Sequence, residues 1–344
     1  MSEEIKAEAK PEKVMEGGKK RKVLSRSEEI ERTLITAYNY SIWRKFTKAL
    51  AEYQLVNEGD RICVCISGGK DSMLMGLLFK HLKKYSKVNF DVHWLVMNPG
   101  YNDINLQIIK NNLKTLEIPA TIVNTDIFDI ANSSLDKPCY LCAKMRRGAL
   151  YRIAKDMGCN KIALGHHYDD VIETTLMNML NAGSFQTMLP KLHSDHYAGM
   201  EIIRPLYLIR ERDIISWKKY NKLTFIQCAC RFTENCAVCD NGGGGSQRYA
   251  TKLLIQKLVK EYSPVVEKNI FRAASNVALD KVLGYKKDGV YHNFLDTYER
   301  EGEKINKHIE ESGIEQKMEV KAEKEHMALK ADETYNFLKS KEDK

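Results

Sequence analysis

The stretch CVCISGGKDSMLMGLLF (Cys63–Phe79) runs an apolar segment into a Ser-Gly-Gly-Lys-Asp-Ser turn and then into apolar residues at helical spacing. A strand, a glycine turn and a helix start together aim backbone N–H groups and the positive end of a helix at an anion. The loop is not a Walker A loop, which needs four free positions between its first Gly and the Gly-Lys-Ser/Thr. Gly68 and Gly69 let the backbone approach a ligand closely. Lys70 brings a mobile positive charge, Asp71 favours the helix start, and Ser67 and Ser72 offer hydroxyls. An ordinary strand–turn–helix link would need all six positions to match by coincidence.

Working outward, apolar runs alternate with helical patterns. Strands are expected at 61–66, 90–97, 120–123, 161–165, 201–206 and 224–226. Helices are expected at 71–85, 102–117, 142–157, 169–181 and 210–221. Such alternation implies right-handed parallel βαβ units. The expected fold is α/β, a doubly wound parallel sheet with an N-terminal helix (28–53) and a C-terminal helical extension. Ligands of these sheets bind beyond the carboxyl ends of the strands.

Residues 1–27 hold few apolar side chains and are expected to be a disordered basic tail. Residues 28–285 form the expected catalytic domain, with a Cys- and Gly-rich insert at 228–245. Helix is expected at 247–285. Residues 286–344 are expected to be a charged tail, helical or disordered. No internal repeat is visible.

The net charge is +8, and the two tails carry +3 (1–27) and −3 (299–344), so the body alone carries +8. That favours a polyanionic partner and equally suits a mildly basic enzyme. No apolar run approaches the ~20 residues of a membrane span, and the N-terminus lacks the apolar core of a signal peptide. A cytoplasmic protein with no membrane partner is expected. In a reducing compartment, nine cysteines read as metal ligands or reactive thiols rather than disulfides.

SGGKDS resembles the PP-loop of the N-type ATP pyrophosphatases, which cleave ATP between its α and β phosphates. PCYLCAKMRRGALYRIA (138–154), LGHHYDDVIETTLMNML (164–180), MLPKLHSD (188–195) and RPLYLIRERDI (204–214) narrow the resemblance to the tRNA 2-thiocytidine synthetase (TtcA) family. The similarity runs from about residue 40 to about 285 and implies an adenine nucleotide alpha hydrolase-like fold. It implies an ATP-dependent tRNA sulfurtransferase that adenylates the C2 oxygen of a cytidine, by family expectation cytidine 32 of the anticodon loop, and replaces it with sulfur. It also implies ATP, Mg²⁺ and a [4Fe-4S] cluster as cofactors, tRNA and a sulfur donor (a cysteine desulfurase or sulfide) as partners, and a homodimer.

Within this resemblance Ser67, Gly68, Gly69, Lys70, Asp71 and Ser72 hold the phosphates. Gly165, His166 and Asp169 follow a strand and face the nucleotide, and Asp170 joins Lys70 and Asp71 as catalytic. Asp169 and Asp170 serve equally well as helix-capping acids, and His167 reads as structural. NPGY (98–101) flanks the adenine side or is a simple turn.

Cys139 and Cys142, three apart at a helix start, face one side. They suit a redox dithiol, a zinc site or an iron–sulfur cluster, and the family resemblance favours the cluster. The third ligand comes from Cys228, Cys230, Cys236 or Cys239; Cys228 is preferred because it follows a strand end, and a separate zinc knuckle is the alternative. Cys63, Cys65 and Cys159 read as packing residues. Lys45, Lys48, Arg146 and Arg147 are candidates for tRNA phosphates. A thiouridine synthetase of the same superfamily remains the alternative enzyme, because pocket contacts set base identity. A nucleotide-binding module with structural zinc is the non-enzyme alternative.

Overall fold

The computed structural model describes residues 2–4, 23–132, 138–226 and 247–312, with single helical positions at 318, 321, 322 and 325; at 2–4, 132 and 138–140 only the backbone is described. The structure divides into two compact units, Met1–Ser275 and Asn276–Lys344.

The first unit is built on a seven-stranded sheet. Its strands are β1 (Ser2–Glu4), β2 (Arg61–Cys65), β3 (Asp91–Asn98), β4 (Ala120–Asn124), β5 (Lys161–Ala163), β6 (Lys191–His193) and β7 (Glu201–Ile203), in spatial order β1-β4-β3-β2-β5-β7-β6. The five inner strands are parallel, and the two edges are antiparallel. After β2 the chain moves to β3 and β4 on one side, then returns to β5 and β7 on the other. The switch point therefore lies between the carboxyl ends of β2 and β5, where a doubly wound sheet opens its ligand crevice.

β2 is exposed at Arg61 and buried over its other four residues, as a central parallel strand must be. The helices are α1 (Arg26–Ile35), α2 (Arg44–Glu52), α3 (Lys70–Tyr85), α4 (Asp103–Leu116), α5 (Ile127–Asn132), α6 (Pro138–Asp156), α7 (Tyr168–Ala182), α8 (Glu211–Tyr220), α9 (Gln247–Glu261) and α10 (Val266–Ala273). α3 crosses from β2 to β3 and buries Leu74, Leu77 and Leu78 against the sheet. α8 lays Trp217 against the N-terminal helices, and its indole N–H donates to Thr33 Oγ1 at 3.2 Å.

Several expected boundaries shift. The single helix at 28–53 is two helices joined by a π turn over Asn39–Trp43. Its start is a capping box: Ser25 Oγ accepts from Glu28 N while Glu28 Oε2 accepts from Ser25 N at 2.9 Å. Within the tail expected to be disordered, Ser2–Glu4 pair with β4; residues 5–22 lie outside the described residues. Residues 224–226 make no strand; Phe225 and Ile226 are buried, Thr224 O accepts from Asn112 Nδ2 of α4 at 2.8 Å, and Ile226 packs against Gly68. Helix α6 starts at Pro138, a residue whose missing N–H is not needed at a first helical position.

The helix expected to run to 285 ends at Ala273. The second unit holds a hairpin, β8 (Gly284–Lys287) with β9 (Val290–Asn293), and helix α11 (Leu295–Ser312). The hairpin turns at Asp288 and Gly289, both at positive φ, the two-residue Asp-Gly turn that suits strand twist. No described helix is long and apolar enough to cross a membrane.

Candidate functional site

The loop after β2 and the loop after β5 meet at the switch point. Gly68 has φ +87°, and a Cβ there would fall 2.6 Å from Ile109 and 2.7 Å from Ile226. Only glycine fits, for both conformation and space. Ser72 Oγ donates to Gly69 O at 3.0 Å and accepts from Ser67 N at 3.1 Å, so the loop is closed on itself. Gly165 stands against the backbone of Asp71 and Ser72, where a Cβ would lie 3.2 Å from Ser72 N. The β5 loop can therefore approach the first turn of α3 directly.

A cavity of about 360 Å³ opens here, lined by Ser67, Asp71 and Ser72 from the first loop and by Gly165, His166 and Asp170 from the second. Leu95, Met97 and Tyr101 from the end of β3 line it too, with Arg146 and Leu150 of α6 opposite. Polar groups on one wall and apolar side chains on the other suit a phosphorylated, flat-ringed ligand. Asp71 Oδ1 and His166 Nδ1 are buried with no hydrogen-bond partner among the described residues.

Burial brings His166 down from 6.5 to about 4, against the pull of Asp170, so the ring is neutral at pH 7. Tyr101 donates to Ser67 O at 3.4 Å. Burial raises its phenol, the Arg146 guanidinium opposes that, and the Cys142 thiol adds to it. Cys142 is itself buried. Arg146 and Tyr101 both line the cavity, and Cys142 lies one helical turn before Arg146 on α6.

The acids of the β5 loop divide. Asp169 is held by Arg210, whose NH2 and Nε donate to it at 2.9 Å and 3.2 Å, and it accepts from Glu211 N at 2.7 Å. Arg210 is also paired with Glu267 at 2.5 Å. Asp169 does not line the cavity; it pins the start of α8 beside the start of α7. Asp170 lines the cavity while its Oδ2 accepts from His167 N at 2.9 Å, and His167 caps α7 in return. The capping and site readings of Asp170 are thus compatible.

Lys70 bridges Asp71 at 3.1 Å and Glu211 at 3.0 Å. Burial lowers its ammonium, but the Asp71 and Glu211 carboxylates outweigh burial and raise it.

A PP-loop domain model matches residues 39–231. The tRNA-cytidine(32) 2-sulfurtransferase of Citrifermentans bemidjiense is 36% identical over 249 residues, 70% of this chain and 92% of that protein. The chain belongs to the tRNA-cytidine(32) 2-sulfurtransferase family of PP-loop proteins. The Coxiella burnetii member is 35% identical over 245 residues, 70% of this chain and 90% of that protein. A U34-tRNA thiolase, NcsA from Methanococcus maripaludis, solved with its [4Fe-4S] cluster, shares the fold with a TM-score of 0.54 at 20% identity, over 71% of this chain and 80% of that one.

Of the thiols expected to hold a cluster, Cys139 lies in the first turn of α6 with its side chain outside the described residues, and Cys142 is buried in the next turn. Cys228, Cys230, Cys236 and Cys239 lie outside the described residues. No group of three or more His, Cys, Asp or Glu placed to share a metal occurs among the described residues. Cys63, 0% exposed, and Cys159 pack as expected, whereas Cys65, also in the core, reaches the cavity wall.

Sequence reading missed the cavity role of Arg146, though its position four residues after Cys142 puts both on one face of α6. It also missed Glu211, Arg248 and Lys252. RERDI carries only a family resemblance, and nothing local marks Arg248 or Lys252.

Proposed function

We propose that this chain is an ATP-dependent tRNA thiolase acting on a cytidine of the anticodon loop, position 32 by family membership. The observation that carries the reading is the 360 Å³ cavity between the phosphate loop and α6, with Arg146 on its far wall and Cys142 one turn earlier on the same helix. The glycine-shaped turn supports the assignment of Ser67–Ser72 to the phosphates of ATP. Leu95, Met97 and Leu150 give the adenine an apolar wall.

In the proposed reaction the cytidine C2 oxygen attacks the α phosphorus. A Pα–O bond to the base forms, the Pα–O bond to the β phosphate breaks, and pyrophosphate leaves with the electron pair. Lys70, Arg146 and the loop N–H groups face the growing charge, where fixed donors stabilise most. Sulfide-level sulfur then attacks C2, the C2–S bond forms as the C2–O bond breaks, and AMP departs with that oxygen and the electron pair, a far better leaving group than the original oxygen. Asp71, with a buried unpartnered oxygen, and Asp170 are suited to Mg²⁺ brought in with ATP.

Cys139 and Cys142 are proposed to hold the [4Fe-4S] cluster with Cys228. Ile226 packs against Gly68, and two residues span at most about 7 Å. The preference for Cys228 over Cys236 rests on its closeness in sequence to Ile226. When bound, such a cluster supplies an iron open to carry sulfur. Cytoplasmic location, a homodimer and a desulfurase or sulfide donor complete the proposal.

The test is anaerobic incubation of iron-reconstituted protein with ATP, sulfide and unmodified tRNA, followed by nucleoside mass spectrometry. 2-Thiocytidine formed with stoichiometric AMP and pyrophosphate supports the reading. A thiouridine product would replace it with the sister activity, and nucleotide binding with no pyrophosphate release would reduce the chain to a binding module.

A further inference from the structure

A second cavity of about 330 Å³ adjoins the nucleotide cavity, and Asp71 and Asp170 are walls of both. Three cations point into it: Lys70 from α3, and Arg248 and Lys252, which lie four residues apart on one face of α9. Each is held by a carboxylate of the same cavity. Arg248 NH1 pairs with Asp170 at 3.2 Å and Glu173 at 3.0 Å. Lys252 pairs with Glu211 at 2.5 Å, and the other oxygen of Glu211 holds Lys70. These side chains converge from four helices, α3, α7, α8 and α9.

We propose that Arg248 and Lys252 bind the β and γ phosphates of ATP and retain the departing pyrophosphate in this second cavity. The inference rests on the ATP reading above and extends it to residues outside the phosphate loop. Two features of the cavity favour a polyphosphate carried with its divalent cation. The cations are spaced along the wall and already oriented, so phosphate oxygens can displace the carboxylates one by one. The four carboxylates would repel a bare anion, but they suit a magnesium complex, and Asp71 offers a buried oxygen with no hydrogen-bond partner among the described residues. Arg248 and Lys252 are both partly exposed, so truncating either leaves the core untouched.

The experiment is isothermal calorimetry of magnesium pyrophosphate and of AMP on the full-length protein, Arg248→Ala, Lys252→Ala and Lys70→Ala, each variant first checked by thermal melting. Loss of one charge-assisted contact corresponds to about a tenfold loss of affinity. Arg248→Ala and Lys252→Ala are expected to lose about tenfold for magnesium pyrophosphate and to keep the affinity for AMP. Pyrophosphate without Mg²⁺ is expected to bind at least tenfold more weakly to the unaltered protein. Unchanged pyrophosphate affinity in both α9 variants, with loss in Lys70→Ala, would overturn this inference and leave the ATP reading standing. An equal loss for AMP and pyrophosphate would also overturn it, since the residues would then serve the fold of the site. No binding of AMP or of magnesium pyrophosphate to the unaltered protein would overturn the ATP reading and this inference with it.

Discussion

Glu211 Oε1 lies 3.0 Å from Lys70 Nζ, joining the first turn of α8 to the first turn of α3 across 141 residues of chain. The other oxygen of Glu211 meets Lys252. Burial alone would raise this carboxyl, but the Lys252 and Lys70 ammonium groups bring it from 4.5 to about 2. A depressed carboxylate stabilises the fold above its ordinary value, and that contribution is lost as pH falls from 4.5 toward 2. Thermal melts of Glu211→Gln should therefore show a shallower acid decline than the unaltered protein in that window. Parallel declines would show that the Glu211 pairing adds nothing.

His166 contributes with the same sign, in a higher pH window. Its folded value of about 4 lies below the ordinary 6.5 because the ring is buried. Between these values the unfolded chain binds more protons, so stability is complete above pH 6.5 and falls as pH drops toward 4. His166→Gln should flatten this part of the stability profile. An NMR titration placing the imidazole near 6.5 in the folded protein would refute the assignment.

Gly68→Ala adds a Cβ where φ is +87° and where Ile109 and Ile226 are under 3 Å away. The cost should be about 1–3 kcal/mol of stability, with loss of ATP binding, read by denaturant unfolding and calorimetry. Gly199, also at positive φ but with open space around it, should lose some stability to Ala through backbone strain and keep ATP binding unchanged.

Arg146 and Arg147 are adjacent in sequence but should behave differently. Arg146 lines the nucleotide cavity, whereas Arg147 is exposed. Arg146→Ala should lower the adenylation rate by about 10²–10³ and leave the salt dependence of tRNA binding alone. Arg147→Ala should reduce the salt slope by about one with adenylation intact in single-turnover assays. Identical defects in the two variants would contradict the geometry.

Cys142→Ala should lose iron from anaerobically prepared protein and thiolation with it, while calorimetry shows ATP bound as before. Iron content per chain is the readout. Zinc in place of iron, with activity retained, would point to the structural-metal alternative.

The order of strands and helices was legible in the sequence because each element states its own type through apolar spacing, and Ser67–Ser72 declare a phosphate loop through residues that are neighbours in the chain. The Cys139–Cys142 pair, the Asp-Gly hairpin turn and the Pro138 helix start are likewise local signals. What only the tertiary structure decided is how side chains distant in sequence combine. Asp169 and Asp170 are adjacent acids in one helix turn, yet Arg210 and Glu211 claim the first while the second faces the cavity. The 224–226 run reads as a strand, but it packs against α4 and the loop after β2 instead, with Thr224 O accepting from Asn112 and Ile226 lying on Gly68. Arg248 and Lys252 read as ordinary helix-surface cations until α9 lies against α7 and turns them toward Lys70. Spacing along the chain reports a residue's own helix or strand; which opposite charge meets it depends on packing between elements, and that energy is not written in any local pattern.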